Sequence, residues 1–292
     1  MANSIHRPYV RRPFDAARCT GCGTCLHRCP VLALPLGRAR QEMERLRAGL
    51  DSPVLRACTS CGACNLFCPD DCRPANLILD RWHAAYAAHG LPARAAYLLP
   101  HARPNFRSDI VARLPAAERD TVARWRRAAD DPAARPAREF LFSGCNLVTA
   151  PYLTFSRLFD GVDIRGGLDY CCGEMLFRMG LYEALTDVAN RTFFWLAALG
   201  AERVYLLCTA GLHMLQHVLP QFASPQYLIP NIQYLPYLQV ILDRLESGDL
   251  GPVRPLGLTV TVQDSCHARF LSWGDDGFGH LPRRLLDLIG VD

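Results

Sequence analysis

The sequence has no lysine, and all 32 of its basic residues are arginine. This absence excludes enzymes that bind pyridoxal phosphate or a carbonyl substrate on a lysine, and it excludes the lysine-containing phosphate-binding loop. The Gly-x-Ser-x-Gly motif is absent too, and the glycines Gly21 and Gly23 lie in a cysteine-rich loop rather than in a dinucleotide-binding turn. The chemistry of this protein must therefore come from other residues.

Long apolar runs are also lacking, since the longest, 193–200 and 204–212, are about half a membrane span. The pair Arg11 and Arg12 is not followed by the apolar stretch of a signal peptide. We therefore expect a cytoplasmic protein with no membrane span of its own, held at the membrane at most through a partner. In a reducing compartment, its 14 cysteines are metal ligands or redox groups rather than disulfides.

The 292 residues are enough for two domains, and their charge is unevenly distributed. Residues 1–138 hold 22 arginines against 12 acidic residues, a net charge of +10, whereas residues 139–292 have a net charge of −6. One hypothesis from this charge is a zinc-bearing adaptor for nucleic acid. The charge also suits a protein that offsets anionic iron–sulfur clusters or docks an acidic partner, and we favour that interpretation and expect no nucleic acid partner.

Two copies of one cysteine motif, C-x2-C-x2-C-x3-C-P, begin 39 residues apart. This is the bacterial spacing for [4Fe–4S] clusters, in which the fourth cysteine of each motif binds the other cluster. We therefore predict two [4Fe–4S] clusters. The ligands of cluster one are Cys19, Cys22, Cys25 and Cys68, and those of cluster two are Cys58, Cys61, Cys64 and Cys29. A zinc site would use C-x2-C pairs instead, and His27 is expected to form hydrogen bonds rather than bind metal.

Helix formers followed by glycine predict helices over 38–49 and 76–90, so we expect residues 1–99 to form an all-helical domain. It resembles the helical ferredoxin domain of succinate dehydrogenase and heterodisulfide reductase subunits. Residues 100–138 are rich in arginine, alanine and proline and are interpreted as a linker with one helix over 116–129. Three arginines of that helix face either solvent or a partner subunit: Arg124, Arg126 and Arg127.

Residues 139–292 alternate between strand and helix patterns. Strands are predicted over 139–145, 203–208 and 257–266, and helices over 181–199, 212–219 and 233–245. The alternation predicts an α/β domain with a largely parallel sheet, so the whole chain has an α + α/β architecture. Each predicted strand ends in a cysteine, and Cys145, Cys208 and Cys266 are therefore expected at the edge of the sheet where ligands bind.

Four cysteines carry a more specific resemblance: Cys145, Cys171, Cys172 and Cys208. Their spacing, with Gly173 after the pair, resembles the CCG cysteine-rich module of heterodisulfide reductases. The same module occurs in the iron–sulfur subunits of glycolate oxidase, lactate-utilisation and anaerobic glycerol-3-phosphate dehydrogenase systems, and Asn190 also matches it. The resemblance implies that these cysteines bind a third iron–sulfur cluster or form a catalytic group.

Two features depart from that family. Gly211 stands where the module has its fifth cysteine, which puts disulfide cleavage in doubt but leaves four ligands for a cluster. A second module begins with Asp264, Cys266 and His267, but its Cys-Cys-Gly would fall at Asp292, the last residue. The first module is thus complete to about 255, the second is truncated, and we expect the chain to be a fragment.

Two cysteines remain outside these groups. Cys72 is interpreted as a buried or spare thiol, and Cys266 as an orphaned ligand or a reactive thiol that belongs to the catalytic group. His213 and His267 flank the expected site, where they either donate hydrogen bonds or protons or serve a structural role at the ends of elements.

These patterns predict an electron-transfer subunit of a heterodisulfide reductase-like oxidoreductase. Electrons would be exchanged with a flavoprotein, a membrane cytochrome or another quinone-reactive subunit and would pass through the two clusters to or from the CCG site. The alternative is the iron–sulfur subunit of a flavin-dependent glycolate, lactate or anaerobic glycerol-3-phosphate dehydrogenase, and the sequence does not separate the two.

Overall fold

The computed structural model describes residues 13–91, 93–99, 102–131, 136–228, 231–251, 254–265, 267–268 and 278–291. Their contacts divide the chain into two compact units, which we call the helical unit and the sheet unit. The helical unit comprises described residues of 13–95 together with 175–185, and the sheet unit comprises described residues of 96–174 and 186–291. Each unit is therefore built from more than one segment of the chain.

The elements are, in chain order, α1 (Thr24–His27), α2 (Leu36–Arg47), α3 (Pro53–Ala57), α4 (Ala63–Phe67), α5 (Pro74–His89), α6 (Ala93–Ala96), α7 (Phe106–Arg113), α8 (Ala116–Asp130), β1 (Glu139–Phe142), α9 (Gly144–Thr149), β2 (Ile164–Arg165), α10 (Glu174–Arg178), α11 (Tyr182–Leu199), β3 (Arg203–Leu206), α12 (Thr209–His213), β4 (Gln233–Pro236), α13 (Tyr237–Glu246) and α14 (His280–Leu288). A π-helical turn follows α12 over Met214–Val218. Short 3-10 turns cover Pro151–Phe155, Arg157–Phe159, Leu219–Gln221 and Pro225–Tyr227.

The helical unit confirms the two helices predicted for the first domain, since α2 and α5 each begin two residues before the predicted start. Local signals explain their neighbours: the Ser52 side chain accepts a hydrogen bond from the Val54 N–H at 3.2 Å and caps α3, whose first residue is a proline. Gly90 ends α5 with φ +74°, a conformation that favours glycine. The apolar faces enclose a core that includes cysteines of both motifs: Cys25, Leu26, Ala39, Met43, Leu46, Val54, Leu77 and Ile78, with Cys19, Cys58 and Cys64 against it.

The sheet unit contains a four-stranded parallel sheet in the order β2-β1-β3-β4. β1 lies between β2 and β3, with Leu141 opposite both Ile164 and Tyr205. Its core combines sheet and helix residues: Val122 and Trp125 from α8, Leu141, Leu147, Val148, Ile164, Tyr237 and Ile241. The parallel sheet predicted from the alternating pattern is therefore confirmed. Among the described residues, the structure has no helix that combines the length and apolar character needed to cross a membrane.

Two predictions for this unit differ from the structure: the helix over 233–245 is confirmed from Tyr237 onward as α13 but not over its first four residues, and the strand over 257–266 is wrong. Residues 233–236 form β4 rather than the start of a helix, because they pair with β3 in register and Pro236 limits the helix to the residues that follow. The strand predicted over 257–266 is not part of the sheet. Its described residues form a single bridge, Leu258 to Val291, and Leu258 and Val260 are 54% and 43% exposed because no neighbouring strand covers them.

Two boundaries also differ from the predictions. β1 ends at Phe142 rather than at Cys145, because Gly144 turns the chain with φ +53° into α9 and places Cys145 in its first turn. In 100–138, interpreted above as a linker with one helix, the described residues form α7 and α8. α8 belongs to the sheet unit, and its Trp125 is 6% exposed in the core of that unit.

Candidate functional site

The first group of cysteines in the helical unit contains three residues of the first motif and the last residue of the second. A small cavity is lined by all four of them, together with Phe14, Met43 and Cys72. Burial raises the pKa of Cys25 to about 12, and the neighbouring thiols of the group act in the same direction. The N–H of Cys72 donates to Cys68 Sγ at 3.3 Å. The members brought together are Cys19, Cys22, Cys25 and Cys68.

The second group contains three residues of the second motif and the last residue of the first. Burial raises the pKa of Cys64 strongly, and the neighbouring thiols add to the effect. Burial also raises the pKa of Cys58, whose neighbours are Cys61 and Cys29. Cys25 of the first group lies near Cys64 as well, so the two groups are adjacent. The four members are Cys58, Cys61, Cys64 and Cys29.

This crossed grouping fits the donor set of two [4Fe–4S] clusters. Burial and the neighbouring thiols raise the pKa of Cys25 in the first group and of Cys64 in the second. These thiols keep their protons unless a positively charged centre is bound, and an iron core supplies that charge. In the described residues, no three Cys, His, Asp or Glu side chains converge on one point that would suit a single metal ion. A cubane does not require such convergence, because each thiolate binds a different iron.

Glycine is required at one point of the first motif. Gly23 has φ +74°, and a Cβ atom there would lie 2.7 Å from the backbone nitrogen of Arg40 in α2. The close approach of α2 holds the loop that carries Cys22 and Cys25. The spacing of the motif identifies its cysteines as candidate ligands, and the glycine between Cys22 and Cys25 indicates the close approach of α2.

The third group lies in the sheet unit, beyond the carboxyl ends of β1 and β3. Cys145 is in the first turn of α9, three residues after β1, and Cys208 is the N-cap of α12, two residues after β3. Cys171 and Cys172 precede α10 and lie near both of them. The structure therefore brings together the four cysteines that the sequence singled out in this half. Cys266, predicted for the same edge, lies outside the described residues.

The pair Cys171 and Cys172 shares a proton. A hydrogen bond from the Cys172 thiol lowers the pKa of Cys171, and the same bond raises the pKa of Cys172. The N–H of Gly173 also donates to Cys171 Sγ, at 3.3 Å, and stabilises negative charge there. Sulfur at position 171 is thus prepared to carry the negative charge that a metal ligand or a nucleophile needs.

Arg107, which sequence reasoning missed, places a guanidinium beside this group. It is 2% exposed and lies at the start of α7. Burial raises the pKa of Cys145, and the charge of Arg107 acts against it. Nothing in the sequence around Arg107 marks it, because it is one arginine among many in a segment without a motif. Only the packing of α7 against α9 reveals it.

Gly211 occupies the position of the missing fifth cysteine within the same group. A Cβ atom at Gly211 would lie 3.8 Å from Cys208 Cβ and 4.0 Å from Cys172 Cβ, with the Leu206 side chain at 3.0 Å. The backbone at this position therefore faces the cysteine group directly. With a glycine at this position, the group contains four thiols.

A chain of polar contacts borders the cysteine group. His267 Nε2 lies 3.2 Å from Glu174 Oε1, and His267 Nδ1 lies 3.3 Å from His213 Nδ1. His213 is 2% exposed. The two histidines therefore lie next to each other at the border of the cysteine group. Glu174 joins them, and the sequence pattern alone did not predict that contact.

A cavity of about 220 Å³ lies at the ends of β3 and β4, with Cys208 in its wall. Most of its lining is apolar, including Leu206, Leu212 and Leu238. Thr209 Oγ1 and Ser265 Oγ lie 2.6 Å apart at the same place. Among the described residues, this is a space from which a small molecule would reach one of the four cysteines.

The remaining candidate residues have ordinary partners. Cys72 is buried beside the first group, His27 is exposed with Nδ1 2.8 Å from the Leu34 carbonyl oxygen, and Asn190 Oδ1 accepts from the Ser224 N–H at 2.7 Å. The arginines of α8 are exposed. Within the sheet unit, Arg124 donates a hydrogen bond to Thr121 Oγ1, and Arg126 forms ion pairs with Asp130 and Asp169. Asp264 accepts two hydrogen bonds from Arg283 of α14, at 2.9 and 2.8 Å.

Comparison with known proteins agrees with the cysteine geometry. Residues 13–69 match the family model of the 4Fe-4S dicluster domain. Over 128 residues, the chain is 28% identical to "EtfAB:quinone oxidoreductase" from Syntrophomonas wolfei, an alignment that covers 43% of this chain and 16% of that protein. No solved structure matches the chain. Together with the thiol groups, these matches support an iron–sulfur, electron-transferring protein related to oxidoreductases.

Proposed function

We propose that this chain is the iron–sulfur electron-transfer subunit of a heterodisulfide reductase-like oxidoreductase complex. The observation that carries the proposal is the crossed grouping of cysteines, in which each motif contributes three thiols to one group and its last thiol, Cys29 or Cys68, to the other. Each bound [4Fe–4S] cluster takes up and releases one electron. The protein holds the clusters, excludes water from the buried thiols and sets their potentials through charge and hydrogen bonds.

The third cysteine group supplies the proposed CCG site. Cys145, Cys171, Cys172 and Cys208 would hold a third iron–sulfur cluster, and Arg107 would offset part of its negative charge. The cavity beside Cys208 is where a small redox partner would approach. A cytoplasmic protein with a flavoprotein or quinone-reactive partner fits this arrangement, and the name of the Syntrophomonas relative points to the same kind of partner.

Gly211 favours one chemistry at that site over another. Cleavage of a disulfide in heterodisulfide reductases is associated with the fifth cysteine. At the corresponding position this chain has Gly211, whose added Cβ atom would lie 4.0 Å from Cys172 Cβ. Transfer of electrons to another carrier needs no fifth thiol. The Fe–S subunit of a flavin-dependent glycolate, lactate or glycerol-3-phosphate dehydrogenase is therefore the second candidate.

Pairs of cysteine-to-serine substitutions test the cluster assignment. We expect the chain, isolated without oxygen, to be brown and to contain about eight irons in the helical unit and little zinc. C19S and C68S should each lose cluster one, and the double variant C19S/C68S should lose no more iron than either alone. C19S/C29S should lose both clusters, because its two residues belong to different groups.

The result that would contradict the assignment is the reverse pattern. If C19S and C29S acted on one cluster and C68S on the other, the last cysteine of each motif would bind with its own motif. A colourless protein with stoichiometric zinc would overturn the proposed function as a whole. C72S is the matched control, since Cys72 is buried beside the first group but is not assigned as a ligand, and its iron content should equal that of the wild type.

A further inference from the structure

Arg178, the last residue of α10, contacts the loop of the second cysteine motif within the helical unit. Its Nε donates to Ser60 Oγ at 3.0 Å, and its Nη2 donates to the carbonyl oxygen of Thr59 at 2.5 Å. Thr59 and Ser60 are the two residues between Cys58 and Cys61. One guanidinium from a distant segment of the chain thus holds both residues of this loop.

The loop needs such a contact because of its backbone. Ser60 has φ +51°, in the left-handed region that side chains other than glycine rarely adopt. In this conformation the N–H of Ser60 donates to Cys58 Sγ at 3.3 Å. The corresponding residue of the first motif, 39 positions earlier, is Gly21 with φ +69°, for which the conformation carries no such strain. Arg178 therefore stabilises a conformation that the first motif obtains from a glycine.

The charged neighbours of the two loops also differ. Thr20, which corresponds to Thr59, donates to the carboxylate of Asp70 at 3.4 Å. Thr59 instead contacts the guanidinium of Arg178, which donates to its carbonyl oxygen. The first loop therefore has a carboxylate at the place where the second loop has a guanidinium.

Other charges around the first loop do not reverse this difference. Glu44 lies next to Gly21, but its carboxylate pairs with Arg47 at 3.1 Å. Arg40 donates to the carbonyl oxygen of Cys22 at 3.3 Å from an exposed position, where its charge offsets that of Asp70. Among the contacts of the two x2 loops, the first loop therefore has both Asp70 and Arg40, whereas the second has the guanidinium of Arg178.

We propose that Arg178 is a positioning residue that fixes the loop after Cys58 and gives cluster two the higher reduction potential of the two clusters. This inference rests on the proposed function, since it requires both clusters. Reduction adds one negative charge to a cluster, and a nearby guanidinium and N–H···S hydrogen bonds stabilise that charge and raise the potential. Asp70 has the opposite effect on cluster one. An electron shared between the two clusters therefore resides mainly on cluster two.

The test is an anaerobic redox titration of the full chain, followed by electron paramagnetic resonance, for the wild type and three variants. R178Q removes the charge and should move one of the two midpoint potentials to a lower value while the other stays unchanged. R178K keeps the charge and should give an intermediate value. D70N should move the other cluster, and to a higher value.

R81Q is the matched control. Arg81 makes the same kind of contact, donating from Nε and Nη2 to the carbonyl oxygens of Leu46 and Arg47 at 2.8 Å each, but it contacts no cysteine motif. Its potentials should equal those of the wild type. The proposal is overturned if R178Q leaves both potentials unchanged at full iron content, if R178K behaves as R178Q does, or if R81Q gives the same shift. Loss of about four irons in R178Q but not in R81Q supports the positioning role.

A second readout needs no iron. In the iron-free chain, hydrogen exchange of the peptide that contains Thr59, Ser60 and Cys61 should be faster in R178Q than in R81Q and the wild type, because the loop loses its two contacts. Equal exchange in all three would contradict the positioning role. If the wild type binds no [4Fe–4S] cluster at all, the proposed function fails, whereas this measurement still reports on the Arg178 contact.

Discussion

At the scale of residues, the site depends on side chains of two kinds. The cysteines can be recognised by their spacing, and the crossed ligation of this motif predicts from the sequence how they group. Arg107 and Arg178 are not accessible in this way, because each lies in a segment without a motif and reaches a cysteine group only through the fold. Gly211 is intermediate, because its place in the cysteine pattern is visible in the sequence, whereas the side chains around it are known only from the structure.

The surroundings of Gly211 give a prediction that does not depend on iron. In the iron-free chain, the thiol of G211C should form a disulfide with Cys208 or Cys172 under mild oxidation. The Cβ separations of 3.8 and 4.0 Å lie in the range of about 3.5 to 4.5 Å found in disulfides. Peptide mass spectrometry identifies the bond.

The matched control is G211A, which places a Cβ atom at the same position, against the Leu206 side chain, but cannot form the bond. A G211C chain that links only to cysteines of the helical unit would contradict the placement of position 211.

At the scale of elements, the helical repeat of apolar residues and the glycines at helix ends predicted α2, α5, α8 and α11 well, because each is long, amphipathic or bounded by glycine. Short elements were harder. β4 has four residues, and its side chains alone do not distinguish a strand from the first turn of the helix that follows. The prediction over 257–266 was wrong for the opposite reason: the strand pattern is present, but the described residues form only one bridge with the rest of the fold.

The turn between α10 and α11 offers a prediction at this scale. Gly180 has φ +70°, and a Cβ atom there would lie 2.4 Å from the carbonyl oxygen of Leu79 in α5. G180A should destabilise the helical unit by roughly 2 to 4 kcal/mol, from the left-handed conformation and the steric clash together. Denaturant unfolding followed by circular dichroism measures the loss.

Gly90 provides the comparison for that measurement. It belongs to the same unit and has φ +74°, but a Cβ atom there would meet nothing within 4 Å. G90A should therefore cost only the conformational part, about 1 to 3 kcal/mol, because φ +74° and ψ 170° lie in a region that is essentially restricted to glycine. Equal losses in G180A and G90A would show that the segment with Gly180 does not pack against α5.

At the scale of the whole molecule, the two units depend on different kinds of core. The core of the helical unit includes cysteines of both motifs, so removal of iron affects its interior directly. The core cluster of the sheet unit is built around Trp125, Leu141 and Tyr237, and the third cysteine group lies beyond the strand ends rather than among these residues. The sequence predicted both fold types, but not that each unit is assembled from separate segments, because that depends on long-range contacts.

Removal of iron should therefore loosen the helical unit more than the core of the sheet unit. After oxidation and chelation, we expect trypsin to cut first at arginines between Arg18 and Arg81, and later at Arg203 and Arg244 of the sheet unit. The chain has no lysine, so every tryptic cut reports on an arginine, and mass spectrometry orders the cuts. The iron-loaded chain is the control. Cleavage that begins at Arg203 or Arg244 would contradict the separate stability of the sheet unit.

The return of residues 175–185 to the helical unit also has a consequence for the order of synthesis. The ribosome completes the second cysteine motif at Cys68, but the segment with Arg178, Gly180 and Tyr182 follows more than a hundred residues later. At about 5 to 20 residues per second, the eight thiols wait roughly 5 to 20 seconds for that segment. Iron delivered during this interval would meet an unfinished unit, and iron delivered afterwards would meet one whose loop is already held.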